Sequence, residues 1–189
     1  GVSLLGAAAL LACASLLLLE VVQGGRQSVA LGNWPLPYAI EFAADGLSAA
    51  LVLLTAILGV GVLLATLRWG ETDQAEAGLH PLLHGLLAAT GAVFLAADLF
   101  NLYVWFELML ICALGLLLRD GGPRSLEATL KYFALNLIGT LLLLAAVALL
   151  YGATGHLNYG ALAAAARHTD PAVLLPFVAL LAIALLIKA

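Results

Sequence analysis

The chain of 189 residues is 65% hydrophobic and only 10% charged, with a formal net charge of −4. A soluble domain has about 25% charged residues, so this composition excludes a cytosolic enzyme, a secreted domain and a disordered chain. The acidic balance also excludes nucleic acid as a general partner, because phosphate binding requires clustered Lys and Arg. An integral membrane protein remains.

Long segments without a charged residue predict several membrane-spanning helices. A helix of about 20 apolar residues crosses a hydrocarbon core of about 30 Å. The strands of a membrane barrel would alternate apolar and polar residues, whereas these segments are apolar on every face. We therefore expect an all-α polytopic protein embedded in the lipid bilayer. The uncharged segments are 1–19, 46–67, 77–97, 132–166 and 171–187.

Residues 80–118 decide the number of spans. As a single helix they would be about 58 Å long, nearly twice the hydrocarbon thickness, so the chain must fold back. Asp98 is the charged residue near the middle and is a suitable N-cap for a new helix. We also expect a loop at 23–43 and a short interfacial helix at 158–167. The six predicted spans are 2–22, 45–67, 80–97, 99–118, 126–151 and 171–189.

The arginines predict how this bundle is oriented. Alternation of the spans places Arg68, Arg119 and Arg124 on one side of the membrane, and Arg26 and Arg167 on the other. Cytoplasmic loops are enriched in Lys and Arg, so we expect the first set to face the cytoplasm.

Glu107 is the strongest candidate for a functional residue. It lies nine residues after Asp98, which places it about 13–14 Å into its helix, near the middle of the bilayer. A charged side chain there costs at least about 2.5–3.5 kcal/mol, and such residues usually face the bundle interior and mark an ion or proton path. The alternative is a neutral, hydrogen-bonded glutamic acid that holds helices together.

Two lysines allow two interpretations each. Lys131 lies about 8 Å deep in the fifth span, where it could serve function, snorkel to the interface, or pair with Glu127 four residues earlier. Lys188 follows Pro171 by 17 residues, so a straight helix would carry it about 25 Å, nearly to the far face. Periodicity alone predicts a flanking lysine, unless the sixth helix starts deeper or is broken.

Three further residues are candidate proton relays. Asp98 caps a helix in the simplest interpretation, but it could also collect protons at the turn. His80 and His84 lie four residues apart at the mouth of the third span, and histidine titrates near neutral pH. Two histidines without a third ligand do not predict a metal site, and no pattern in the chain predicts a cofactor or a redox centre.

The run Asp98-Leu-Phe-Asn-Leu-Tyr-Val-Trp-Phe-Glu107-Leu-Met-Leu makes a family resemblance specific. It resembles the antiporter-type membrane subunits shared by respiratory complex I (NADH:quinone oxidoreductase) and the multi-subunit Mrp cation/proton antiporters, with the D-type component of the Mrp complex as the nearest match. Further motifs cover nearly the whole chain in order. They are Asn33-Trp-Pro-Leu-Pro, Ala44-Asp-Gly-Leu-Ser-Ala, His80-Pro-Leu, Leu130-Lys-Tyr-Phe, Tyr151-Gly-Ala-Thr-Gly-His-Leu-Asn and Leu186-Ile-Lys-Ala.

The resemblance implies that these spans are helices two to seven of a fourteen-helix subunit, so we expect a fragment cut at both ends. It implies that Glu107 is the family's fifth-helix glutamate, Lys131 its sixth-helix lysine and Lys188 its seventh-helix lysine, at a helix break. In this family, a carboxylate close to a lysine raises the lysine's proton affinity, and separation lowers it. Lysines and waters then conduct the proton.

The resemblance implies a proton-translocating subunit of a sodium/proton antiporter in a bacterial or archaeal plasma membrane, with other membrane subunits, protons and sodium as partners. The resemblance therefore implies an ion-transport subunit rather than an enzyme with its own redox centre. One alternative is a proton-pumping subunit of NADH:quinone oxidoreductase or of a membrane-bound hydrogenase. A second alternative is a structural subunit that scaffolds its partners without transporting ions.

Overall fold

A computed structural model describes residues 2–33, 39–69, 73–119 and 121–188, so part of the predicted loop, 34–38, lies outside the described residues. Most of the described chain is helical, and two short strands lie between the first two helices. The elements are α1 (Val2–Gly24), β1 (Gln27–Ala30), a 3₁₀ turn (Leu31–Asn33), β2 (Glu41–Ala44), α2 (Gly46–Trp69), α3 (Asp73–Leu95), α4 (Leu99–Leu117), α5 (Pro123–Thr154), α6 (Tyr159–Ala166) and α7 (Pro171–Lys188).

Six of these helices are long and apolar enough to cross a membrane, which confirms the predicted all-α polytopic class. They are α1 to α5 and α7, and the short α6 lies within 158–167, where a short helix was predicted. The helix ends differ from the predicted spans most in α3, which begins at Asp73 rather than at residue 80. Helix α5 has 32 residues and begins at Pro123, where proline is tolerated in a first turn. At about 48 Å, α5 exceeds the hydrocarbon core, so it must tilt or project from the membrane.

The helices pack in two groups that meet at α4. Buried residues of α1, α2 and α3 form one group, with Ala7, Leu63 and Leu83 at its centre. Residues of α4, α5 and α7 form the other, around Leu143 and Ala184. Because α4 packs against both α3 and α5, its two sides face different halves of the bundle.

A two-stranded antiparallel sheet occupies part of segment 23–43, where the sequence predicted only a loop. Ala30 in β1 pairs with Glu41 in β2. The turn between α3 and α4 joins this hairpin, since the Ala97 N–H donates to the Glu41 carbonyl over 3.1 Å. On its other side, the Tyr159 N–H donates to the Ala97 carbonyl over 2.9 Å. We call this end of the bundle, with β1, β2, the α3–α4 turn and α6, the hairpin side.

Candidate functional site

Glu107 lies in α4 and makes its polar contacts with α5 and α7. The Thr140 hydroxyl on α5 donates a hydrogen bond to Glu107 Oε1 over 2.7 Å. The Lys188 ammonium, at the end of α7, donates to Thr140 Oγ1 over 2.8 Å and lies 3.5 Å from the same Glu107 oxygen. Three helices therefore bring an acid, a hydroxyl and a base to one point, which we call the Glu107 site.

Lys188 is buried at this site. Only 3% of its side chain is exposed, against 29% for Glu107. A buried ammonium group requires a partner, because the free energy lost with its hydration far exceeds the free energy gained by packing. The Phe106 ring adds a cation–π contact, with its centroid 5.5 Å from Nζ. Lys188 thus points into the bundle, and the flanking position that helix periodicity alone predicts is wrong.

Gly139 gives α7 the room to bring Lys188 this close to α5. A Cβ at Gly139 would lie 2.9 Å from Ile187 Cγ2 and 3.4 Å from Lys188 Cγ. The first distance is shorter than van der Waals contact, so any side chain here would push the end of α7 away. A glycine next to Thr140 is therefore a structural requirement of the Glu107 site.

A small cavity of about 30 Å³ adjoins Lys188 on the side away from the hairpin. Asn136 and Tyr132, one and two turns before Thr140 on α5, supply its polar lining. A water needs about 10–15 Å³ and several polar partners, so the cavity can hold one or two. The polar groups of α5 therefore continue past the Glu107 site in one direction.

Lys131 is not brought to this site. It forms an ion pair with Glu127 over 2.6 Å, and the two side chains are 73% and 67% exposed in the described chain. This pairing, at a spacing of four residues, is one of the interpretations that the sequence left open. Lys131 precedes Thr140 by nine residues, or about two and a half helical turns, so it faces away from Glu107.

The two histidines share a partner that the sequence did not indicate. Ser3 Oγ on α1 lies 3.2 Å from His80 Nδ1 and 2.7 Å from His84 Nε2 on α3. The three side chains are half-buried, near the end of the bundle opposite the hairpin. A single serine in an apolar helix forms no periodic pattern in the sequence. Only the packing of α1 on α3 shows that Ser3 is the partner of the two histidines. In the described part of the chain, no group of three metal-ligating side chains forms.

Asp98 caps α4, as its position predicted. Its Oδ1 accepts the Asn101 N–H over 2.6 Å, and the residue is only 8% exposed. Burial raises the pKa of this carboxyl group, and the charge of Glu41 acts in the same direction, against the N–H groups that bond to it. Sequence reasoning missed Glu41 as a neighbour because it lies 57 residues earlier, on the unpredicted strand β2.

Comparison with known proteins agrees with this architecture. A family model described as "NADH:quinone oxidoreductase/Mrp antiporter, TM" matches residues 96–189. A probable K(+)/H(+) antiporter component of the D type, from Rhizobium meliloti (strain 1021), is 38% identical over 165 residues, covering 83% of this chain and 30% of the relative. The Na(+)/H(+) antiporter component of the same type from Alkalihalophilus pseudofirmus is 35% identical over 147 residues, covering 78% and 30%. The chain thus spans about 30% of the length of these relatives.

Two solved membrane complexes contain subunits of the same fold. A chain of the membrane-bound sulfane sulfur reductase, an archaeal respiratory membrane complex, superposes with a TM-score of 0.87 and 27% identity, over 97% of this chain and 38% of that one. A chain of the Mrp complex from Dietzia sp. DQ12-45-1b gives a TM-score of 0.75 and 27% identity, over 94% and 35%. The chain belongs to the family of antiporter-like membrane subunits that Mrp antiporters share with respiratory NADH:quinone oxidoreductase.

Proposed function

We propose that this chain is part of a proton-translocating subunit of a multi-subunit monovalent cation/proton antiporter, with sodium as the coupled cation. The observation that carries the proposal is a lysine, 3% exposed, held beside a glutamate between membrane-spanning helices. Relatives named as antiporter subunits support it. Its setting is the plasma membrane of a bacterium or archaeon, where it assembles with other membrane subunits.

The Glu107 site offers a defined proton step. Lys188 donates to the Thr140 hydroxyl, and that hydroxyl donates to Glu107. When the Nζ–H bond breaks and its proton passes to Oγ1, the Thr140 O–H bond breaks and its proton passes to Oε1. The result is a neutral amine and a neutral carboxylic acid, so no net charge is created in the low-dielectric interior. Moving α7 away from α4 would then separate the amine of Lys188 from the carboxyl group of Glu107. This separation would prevent the proton from returning and so give its transfer a direction.

The remaining candidates extend this path in the proposal. Lys131 lies on the outward face of α5, where it exchanges the proton with groups outside the described chain. His80 and His84 relay protons at the end of the bundle opposite the hairpin, through the hydroxyl of Ser3. Asp98 serves the hairpin side.

Cation exchange by the assembled complex tests the proposal. Vesicles that contain the full-length complex and an imposed pH gradient should lose that gradient when sodium is added. Potassium in place of sodium identifies the coupled cation, because the two relatives named above differ in it. A gradient that persists with either ion, in vesicles shown to contain the whole complex, contradicts antiport.

A proton pump driven by a partner's redox chemistry is the second candidate, since the superposition on a subunit of an archaeal respiratory complex has a TM-score of 0.87. The residue roles would be the same, but the driving force would differ. Proton uptake that starts with an electron donor and needs no added cation would favour this candidate over antiport.

Lys131 gives a separate test of the path. We expect Lys131→Met to reduce exchange at least several-fold while the complex assembles normally, because an exposed ion pair contributes only about 0–1 kcal/mol to stability. Glu127→Gln is the matched control, since it breaks the same ion pair and keeps the lysine. Equal exchange rates in Lys131→Met and wild type would remove Lys131 from the path.

A further inference from the structure

Three chain segments bring polar side chains together at the hairpin side, away from the Glu107 site. Glu41 comes from β2, Asp98 from the α3–α4 turn and Asn158 from the loop before α6. The Asn158 amide donates to the Glu41 carboxylate, and Asn158 pairs with Asp98 through the backbone. We call these three residues the Asp98 cluster.

The capping of helices does not account for all polar atoms in this cluster. Asn158 Oδ1 caps α6 by accepting from the Gly160 N–H over 2.9 Å, so its amide is left to hold Glu41. Asp98 Oδ1 caps α4, but Asp98 Oδ2 is buried without a hydrogen-bond partner in the described chain. The side-chain amide of Asn101, a residue 5% exposed, is likewise unpartnered among the described residues. Buried polar atoms without partners are costly, so a ligand is expected here.

The chemistry of the cluster favours a proton as that ligand. Asp98 is buried, and the nearby negative charge of Glu41 further disfavours ionisation of its carboxyl group. The other titratable neighbours are His156 in the loop before α6 and Tyr159 at its start. The pKa of Tyr159 is raised to about 12 by burial and by the charge of Asp98, so the phenol stays neutral at physiological pH. It therefore supplies no charge to offset a second carboxylate.

The cluster is also separated from the Glu107 site by α4 itself. Trp105, one turn after Asn101, faces the hairpin, since its ring lies 6.2 Å from that of Phe42 on β2. Glu107 follows Trp105 by two residues, so it points to roughly the opposite side of the helix. Asp98 and Glu107 thus serve two different faces of α4.

We propose that Asp98, with Glu41 beside it, forms a second proton-binding site at the hairpin side of the bundle. Binding of this proton stands independently of transport. That transported protons enter or leave through this site rests on the proposed function.

Infrared spectroscopy of the intact complex, titrated with acid and base, tests the site directly. A protonated carboxyl group has a C=O stretching band that vanishes on ionisation. We expect such a band in the wild type to persist to a higher pH than the band of an ordinary aspartate, and to be lost in Asp98→Asn, which keeps the cap because Asn and Asp cap helices equally well. Glu41→Gln should shift the titration midpoint of the band down by about one pH unit, because a neighbouring negative charge has been removed.

Asp45→Asn is the matched control. Asp45 caps α2 as Asp98 caps α4, accepting the Ser48 N–H over 2.8 Å, but it is exposed. Its hydrogen bonds with Ser48 lower the pKa of its carboxyl group, so it is ionised at neutral pH. The band should be unchanged in this variant.

A band that survives in Asp98→Asn, or a midpoint that does not move in Glu41→Gln, would overturn the inference. If Asp98→Asn fails to assemble, the midpoint in Glu41→Gln decides alone. The outcome is distinct from that of the proposed function. Vesicles without cation exchange but with the expected band would contradict antiport and keep this site, whereas normal exchange without the band would do the reverse.

Discussion

Replacing Lys188 with methionine is expected to abolish cation-dependent proton exchange. The substitution keeps the length and the apolar stem of the side chain but removes the ammonium that bonds to Thr140 and Glu107. Loss of one partner from a buried ion pair costs roughly 3–5 kcal/mol, because the other charge remains without compensation. At 29% exposure, Glu107 should fall near the lower end of this range. We therefore expect reduced thermal stability of the complex as well as lost exchange.

The double substitution Lys188→Met with Glu107→Gln separates stability from transport. A neutral glutamine can still accept the hydrogen bond from Thr140, and no buried charge is left unpaired. Replacing both members of a buried ion pair by neutral groups is often neutral or stabilising. We therefore expect the double variant to regain wild-type thermal stability while exchange stays at background.

Assembly and exchange measured on the same vesicles check this prediction. The amount of each component, determined after detergent extraction, should be normal in the double variant. If exchange returned together with stability, the pair would only hold helices together, as the structural alternative requires. Thr140→Val tests the bridge in the same assay, since it keeps the shape of the side chain and removes the hydroxyl.

Gly139→Ala is expected to lower exchange about 10- to 100-fold without changing any polar group. The added methyl would lie 2.9 Å from Ile187 Cγ2. Isoleucine is branched at Cβ and rotates little, so the backbone of α7 must yield. Misplacement of reacting groups by about 1 Å can cost about 100-fold in rate, and overpacking costs about 1–3 kcal/mol in stability.

Gly152→Ala provides the matched control on the same helix. Apart from the adjoining residues and backbone of its own helix, no atom of the described chain lies within 4 Å of a Cβ built at Gly152, so the methyl group should be accommodated. Exchange rates of the two variants, normalised to the amount of assembled complex, are the measurement. Equal rates would show that the approach of α7 to α5 does not control the Glu107 site.

The number of spans and the caps could be predicted because they are local properties. Gaps between charged residues predicted the helices, the length of 80–118 required a turn, and Asp98 lies where that turn ends and α4 begins. The spacing of Glu127 and Lys131 allowed their ion pair in the same way, as one of the interpretations left open for Lys131.

What the sequence did not indicate depends on which helix packs against which. Periodicity gives the face of a helix but not its neighbour, so neither Thr140 between Glu107 and Lys188 nor Ser3 between two histidines was predicted. Strands β1 and β2 were missed because neither four-residue segment alternates apolar and polar residues. They are stabilised by docking on the α3–α4 turn.

In the proposed proton step, the single hydrogen of the Thr140 hydroxyl has a kinetic consequence. After one hop the hydroxyl holds the proton received from Lys188 and has surrendered its own to Glu107, so its O–H bond now points back toward the amine. A second hop in the same sense requires this bond to swing round first. In the proposed step, each turnover therefore includes a rotation about the Cβ–Oγ1 bond. No second proton can pass through Thr140 until this rotation is complete.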